Sequence, residues 1–254
     1  MMKQILVGLV LAAGSWMSAL QAGEVQVAVA SNFSQPLEVL AAVFKTSSGH
    51  DLKISAGSTG KLYAQIENGA PFEVFLSADS KTAKKLIDTN LAVKDSQFTY
   101  AVGKLVLWSS EQNYVDAQGE VLKKNEFKHL AIANPATAPY GAAAVEVLEH
   151  LGLSSTVSAK LVQGENISQS YDFVATGNAE LGFVAWSQVQ QDGVLKTGSV
   201  WQVPDDLYQA IQQDAVLLNK GKDNSAAQAF LDFLKTEAAQ ALIVRAGYGL
   251  PKAN

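Results

Sequence analysis

Two short polar segments sit where an apolar strand pattern gives way to a helical one: Ser31-Asn32 after Val25–Ala30, and Gly57-Ser58-Thr59-Gly60 after Leu52–Ala56. A helix start leaves backbone N–H groups without intrahelical partners and carries about half a positive charge. Two such starts converging on one point form a site for an anion. The same residue types also serve as ordinary N-caps and turns, and neither segment decides between the two alone. Gly60-Lys61 touches the phosphate-loop pattern, but the glycine spacing differs and no Ser or Thr follows Lys61. Further on, Asn134-Pro135-Ala136-Thr137-Ala138-Pro139-Tyr140-Gly141 leaves a strand and enters a helix. The Tyr140 hydroxyl can donate to an oxyanion there, and packing of a buried tyrosine in the core is the competing interpretation. Gly164-Glu165-Asn166-Ile167 precedes another helix, where a backbone N–H can donate and Ile167 would form a wall.

Catalytic chemistry finds little support. His50, His129 and His150 are scattered, no His pair has metal spacing, and no Gly-x-Ser-x-Gly elbow is present. There is no cysteine, which excludes disulfides, thiol catalysis and thiolate metal sites. Asp79 and the pair Asp205-Asp206 are the carboxylates a catalytic reading would use, but a helix cap and a solvated loop account for them. No enzyme activity, catalytic residue, metal cation or cofactor is expected.

The elements that position these segments alternate. Strand, short loop and helix repeat over Val25–Phe44, Leu52–Asn68 and Phe72–Ile87, with Gly69 closing the second helix and Asp79 or Ser80 capping the third. A second set holds strands at Leu105–Trp108, Leu130–Ala133 and Leu181–Ala185, with helices at Tyr140–Leu151 and Ser168–Thr176. The C-terminal part adds a strand at Ala215–Leu218 and two helices ending before Gly247. Alternation of this kind predicts an α/β fold. With two sets of units and no single Pro/Gly/Ser-rich linker, two lobes joined by more than one crossing strand are expected. No internal repeat is evident.

Residues 1–22 read as a secretory signal: Lys3, an apolar run from Ile5 to Ala13, and a small-residue end at Ala19-Leu20-Gln21-Ala22. Cleavage after Ala22 leaves an exported chain of about 232 residues with 18 basic and 24 acidic side chains. A mildly acidic surface without a Lys/Arg run argues against nucleic acid as a partner.

Taken together, Ala28-Val29-Ala30-Ser31-Asn32-Phe33, Gly57-Ser58-Thr59-Gly60-Lys61-Leu62, Gln65–Pro71, Phe75–Asp79, Asn134-Pro135 through Tyr140-Gly141, Gly164–Ile167 and Leu181-Gly182 resemble the periplasmic molybdate-binding proteins in order and spacing. The resemblance implies a two-lobed type II periplasmic binding fold, with residues 23–102 and 205–254 in one lobe and 103–204 in the other. It implies molybdate or tungstate as the oxyanion in the cleft, a membrane ABC permease as partner, and a periplasmic location. By position the ligand would be held by Ser31, Asn32, Ser58 or Thr59, Tyr140 and the N–H of Ile167. Some members of the family use a tyrosine where this chain has Ala185, and Tyr140 takes its place. A receptor of the same fold for sulfate or phosphate is the nearest alternative, and a secreted hydrolase a remote one. A monomer is expected.

Overall fold

The computed structural model describes residues 22–251, so the signal segment, apart from its last residue, lies outside the described residues. Among the described residues, twelve strands run in chain order as β1 (Glu24–Ala30), β2 (Asp51–Gly57), β3 (Val74–Leu76), β4 (Phe98–Gly103), β5 (Leu105–Ser109), β6 (Leu130–Ala133), β7 (Leu161–Gly164), β8 (Leu181–Ala185), β9 (Gln190–Gln191), β10 (Val194–Leu195), β11 (Ser199–Gln202) and β12 (Ile211–Leu217). They form two five-stranded mixed sheets, ordered β2-β1-β3-β12-β4 and β7-β6-β8-β5-β11, plus a small β9–β10 hairpin.

The two sheets have the same topology. In the first, β2, β1 and β3 are parallel and β12 runs against β3 and β4. In the second, β7, β6 and β8 are parallel and β5 runs against β8 and β11. This architectural repeat left no trace in the sequence, since a sheet specifies parity and burial rather than residue identity.

Strand parity explains why near-continuous apolar runs form these sheets. On β1, Val27 and Val29 pack with Phe33, Leu37 and Phe230 on one face, while Ala28 packs with Leu62 and Phe75 on the other. In the second sheet Leu105, Leu107, Leu130 and Phe183 share one face, and Val106, Trp108, Ala131 and Val184 the opposite one. Helices cover both faces, so both parities must be apolar.

Helices at Ser34–Ser48, Thr59–Glu67, Ser80–Asp88, Pro139–His150 and Ile167–Ala175 stand within a residue or two of expectation where their caps were legible. Asp79 is a helix cap: its carboxylate accepts from the N–H and hydroxyl of Thr82. Asp79→Ala is expected to cost about 1 kcal/mol, a melting shift of about 2–4 °C by calorimetry, with anion binding unchanged. His50 is structural, its Nδ1 accepting from the Gly23 N–H at 2.9 Å.

The chain crosses between the sheets at Lys104 and again from Gln202 to Ile211. The sheets also meet across the cleft. Gly60 N–H donates to the Thr137 carbonyl at 2.9 Å, Ser168 Oγ donates to the Ser31 carbonyl at 3.3 Å, and Lys61 pairs with Glu165 at 2.7 Å. Arg245 pairs with Asp192 at the far side, holding that carboxyl below its usual range. Both ion pairs are exposed and contribute little to stability.

Candidate functional site

The shared topology delivers equivalent loops to one place. Ser31 and Ser58 follow β1 and β2, while Asn134–Tyr140 and Asn166–Ile167 follow β6 and β7. In each sheet these are the carboxyl ends of adjacent parallel strands, the position where open α/β sheets bind ligands.

Ser31, Asn32, Ser58, Thr59, Tyr140 and Ile167 line a single small cavity, together with Ala30, Gly57, Ala78, Ala138, Pro139 and Asn166. Among the described residues, no acidic or basic side chain lines it. All six expected residues are buried.

Ser58 occupies the N-cap of the helix Thr59–Glu67 without capping it. Its Oγ is buried and, among the described residues, has no hydrogen-bond partner. An orphaned buried hydroxyl costs about 1–3 kcal/mol unless something else accepts its proton. Thr59 differs: its Oγ1 accepts from the Ala78 N–H at 3.2 Å, tying the helix start to the segment after β3. The two adjacent hydroxyls therefore have different employment, and Ser58 is the free one.

Asn166 caps the helix Ile167–Ala175 with its Oδ1, which accepts from the N–H groups of Ser168 and Gln169 at 3.0 and 3.1 Å. The N–H of Ile167, the first helical residue, stays outside that cap. Tyr140 stands at the second position of its helix, and Gly141 lets that helix begin close against β6: a Cβ there would lie 2.2 Å from the Ala133 carbonyl oxygen. Burial pushes the Tyr140 phenol well above its ordinary pKa, so it stays a protonated donor.

Residues 25–249 match the family model of the bacterial extracellular solute-binding proteins. The chain belongs to that family. Among curated relatives of this solute-binding protein, molybdate-binding protein ModA of Azotobacter vinelandii is 60% identical over 240 residues, covering 94% of this chain and 95% of the relative. Molybdate-binding protein ModA of Rhodobacter capsulatus is 53% identical over 228 residues, covering 89% and 88%. The solved structure of an Azotobacter vinelandii periplasmic molybdate-binding protein superimposes with a TM-score of 0.88 at 44% identity, over 90% of this chain and all of that one. These are transport proteins, a family of solute binders rather than of enzymes.

Behind the cavity of this solute-binding protein lies a polar cluster that sequence reading missed. Gln213 on β12 is fully buried; its Oε1 accepts from Asn32 Nδ2 at 2.9 Å and Tyr100 Oη at 3.0 Å, and its Nε2 donates to Tyr140 Oη at 3.2 Å. Tyr248 Oη donates to the Asn32 carbonyl at 2.7 Å, accepts from Asn32 Nδ2 at 3.1 Å and meets Ser187 Oγ at 2.9 Å. The register against β4 shifts between Gln213 and Asp214, with Tyr100 the extra residue on β4, a bulge of the kind that re-aims a side chain next to a site. Gln212-Gln213-Asp214 directly before an apolar run reads as loop, although Gln213 and Asp214 are both buried on β12. The Asn32 side chain thus faces this cluster, although Asn32 itself lines the cavity.

Proposed function

We propose that this chain captures molybdate, with tungstate accepted alongside, between two lobes in the periplasm and delivers it to a membrane ABC permease. The observation that carries this reading is the small cavity at the ends of β1, β2, β6 and β7, lined by hydroxyls and helix starts and by no carboxylate. Molybdate is a fully deprotonated dianion at neutral pH, so it wants donors only. Hydrogen phosphate carries a proton and needs an acceptor, which a carboxylate-free wall does not offer. Sulfate has the same charge and shape but is smaller, and is rejected where fixed donors sit too far apart to reach it together. The names and identities of the relatives point to the same anion.

The proposed contacts are Ser31, Asn32, Ser58, Tyr140 and the N–H of Ile167, with Thr59 holding the helix start in place. Residues 23–102 with 205–254 and residues 103–204 are the proposed closing lobes, the Gly60–Thr137 and Ser168–Ser31 contacts marking where they meet. Each receptor works as a monomer that offers both lobes to the permease.

Thermal unfolding tests the reading. Molybdate at about 100 times its Kd stabilises the native state by about 2.7 kcal/mol, a rise of about 5–10 °C in Tm. Tungstate should match it, and sulfate and phosphate at the same concentration should leave Tm in place. An equal or larger rise with sulfate or phosphate would overturn the assignment.

A further inference from the structure

We propose that Gln213, which does not line the cavity, is a positioning residue that fixes the Tyr140 hydroxyl as a donor toward the anion and so sets the site against oxyanions that carry a proton. The inference rests on the oxyanion reading given above.

The argument follows the direction of hydrogen bonds, starting from one group that can only accept. The Asn32 backbone carbonyl takes the Tyr248 proton at 2.7 Å. With its proton committed, the Tyr248 oxygen must accept from Asn32 at 3.1 Å, which fixes the Asn32 amide with Nδ2 on that side. The same Nδ2 then gives its second hydrogen to Gln213 Oε1 at 2.9 Å, where the Tyr100 hydroxyl also donates at 3.0 Å. Gln213 is therefore oriented with Nε2 toward Tyr140, 3.2 Å away. A phenol oxygen that accepts from Nε2 keeps its own proton for another acceptor, either the Tyr248 oxygen beside it or an anion in the cavity that Tyr140 lines. Each amide orientation follows from the network rather than from its own contacts alone.

The cluster also joins both lobes. Asn32, Tyr100, Gln213 and Tyr248 come from the first sheet and the segments around it, whereas Tyr140 stands on the helix after β6. The donor polarity of Tyr140 is thus complete only when the lobes are together. The ionisable groups around Gln213 are the phenols of Tyr100, Tyr140 and Tyr248, and the Asp214 carboxylate, which turns to Gln97 at 2.6 Å and Thr99 at 2.8 Å instead.

A double-mutant cycle read by calorimetric titration with molybdate and with phosphate separates positioning from bulk stability. Tyr140→Phe and Gln213→Met should each weaken molybdate by roughly 10- to 100-fold, and the double variant should be no more than about threefold weaker than Tyr140→Phe alone. A second variant adds a pH signature. In Gln213→Glu the introduced carboxylate accepts the Tyr140 proton and turns the phenol oxygen, an acceptor, toward the cavity. Molybdate affinity should then be at least about 100-fold weaker at pH 8 and recover toward pH 6 as the carboxyl protonates, with phosphate gaining relative to molybdate; the native protein should be flat over that range. Additive effects in the cycle, or a Gln213→Glu protein that binds molybdate like the native one at both pH values, would overturn the proposal. Native protein that binds no molybdate would instead remove the functional reading beneath it.

Discussion

Ser58→Asp is expected to abolish molybdate binding while the protein still folds. The side chain replaced has no hydrogen bond to lose, since Ser58 Oγ is buried and without a partner among the described residues. A carboxylate in its place faces a dianion in the same small cavity. At about 4 Å and an effective dielectric of about 20, one charge against two costs on the order of 8 kcal/mol, and half of that is already about a thousandfold in Kd. Ser58→Ala separates the two roles. It removes one donor, which should weaken binding by about 1.5–3 kcal/mol, yet it should leave the ligand-free Tm unchanged or raise it, because the orphaned hydroxyl is gone. A structural serine would show the reverse pattern, with Tm falling and affinity held. Titration calorimetry and thermal unfolding on the same samples distinguish them.

Gly103→Ala should damage binding at least as much as Tyr140→Phe. A Cβ at position 103 would lie 2.2 Å from Tyr140 Oη and 2.9 Å from Gln213 Nε2. The obstructed atom is the tip of a side chain rather than backbone, so the chain can fold by swinging Tyr140 aside. That displacement removes the Tyr140 donor and separates it from Gln213, and it does so at the end of β4 where the chain first crosses between lobes. We expect at least a 10- to 100-fold rise in Kd for molybdate. The Gly103→Ala/Tyr140→Phe double variant should bind no worse than Gly103→Ala alone, because the obstruction acts through the phenol. Full affinity in Gly103→Ala would show that the phenol position does not matter.

Much of the fold was legible because its signals are local. The apolar runs at Val25–Ala30, Leu130–Ala133 and Leu181–Ala185 coincide with β1, β6 and β8, and Gly69 follows a helix that does end there. Five strands were not read: β4, β7, β9, β10 and β11. Leu161–Gly164 and Ser199–Gln202 are edge strands in which Gln163, Ser199 and Gln202 interrupt the apolar pattern, and β9 and β10 are two residues each, too short for a period. β4 carries Thr99 and Tyr100 among its apolar residues because they serve Asp214 and Gln213, contacts more than a hundred residues away in sequence. The site divides the same way. Ser31, Ser58, Tyr140 and Ile167 stood out because each follows a strand and opens a helix, a local pattern. Gln213, Gly103 and Tyr248 matter only through what tertiary structure places beside them, and nothing in their own neighbourhood announces it. The proposed choice of Ser58 over Thr59 as the contact also needed the fold, since it rests on the Ala78 N–H reaching Thr59 and not Ser58.

Calorimetric titration of ligand-stripped mature protein with molybdate, tungstate, sulfate and phosphate at fixed pH and salt tests the central claim most directly. The account predicts one-site saturation by molybdate and tungstate with nearly equal affinity, and no heat from sulfate or phosphate. Sulfate or phosphate binding as tightly as molybdate would contradict it, and the absence of binding by any of the four anions would contradict the oxyanion site itself.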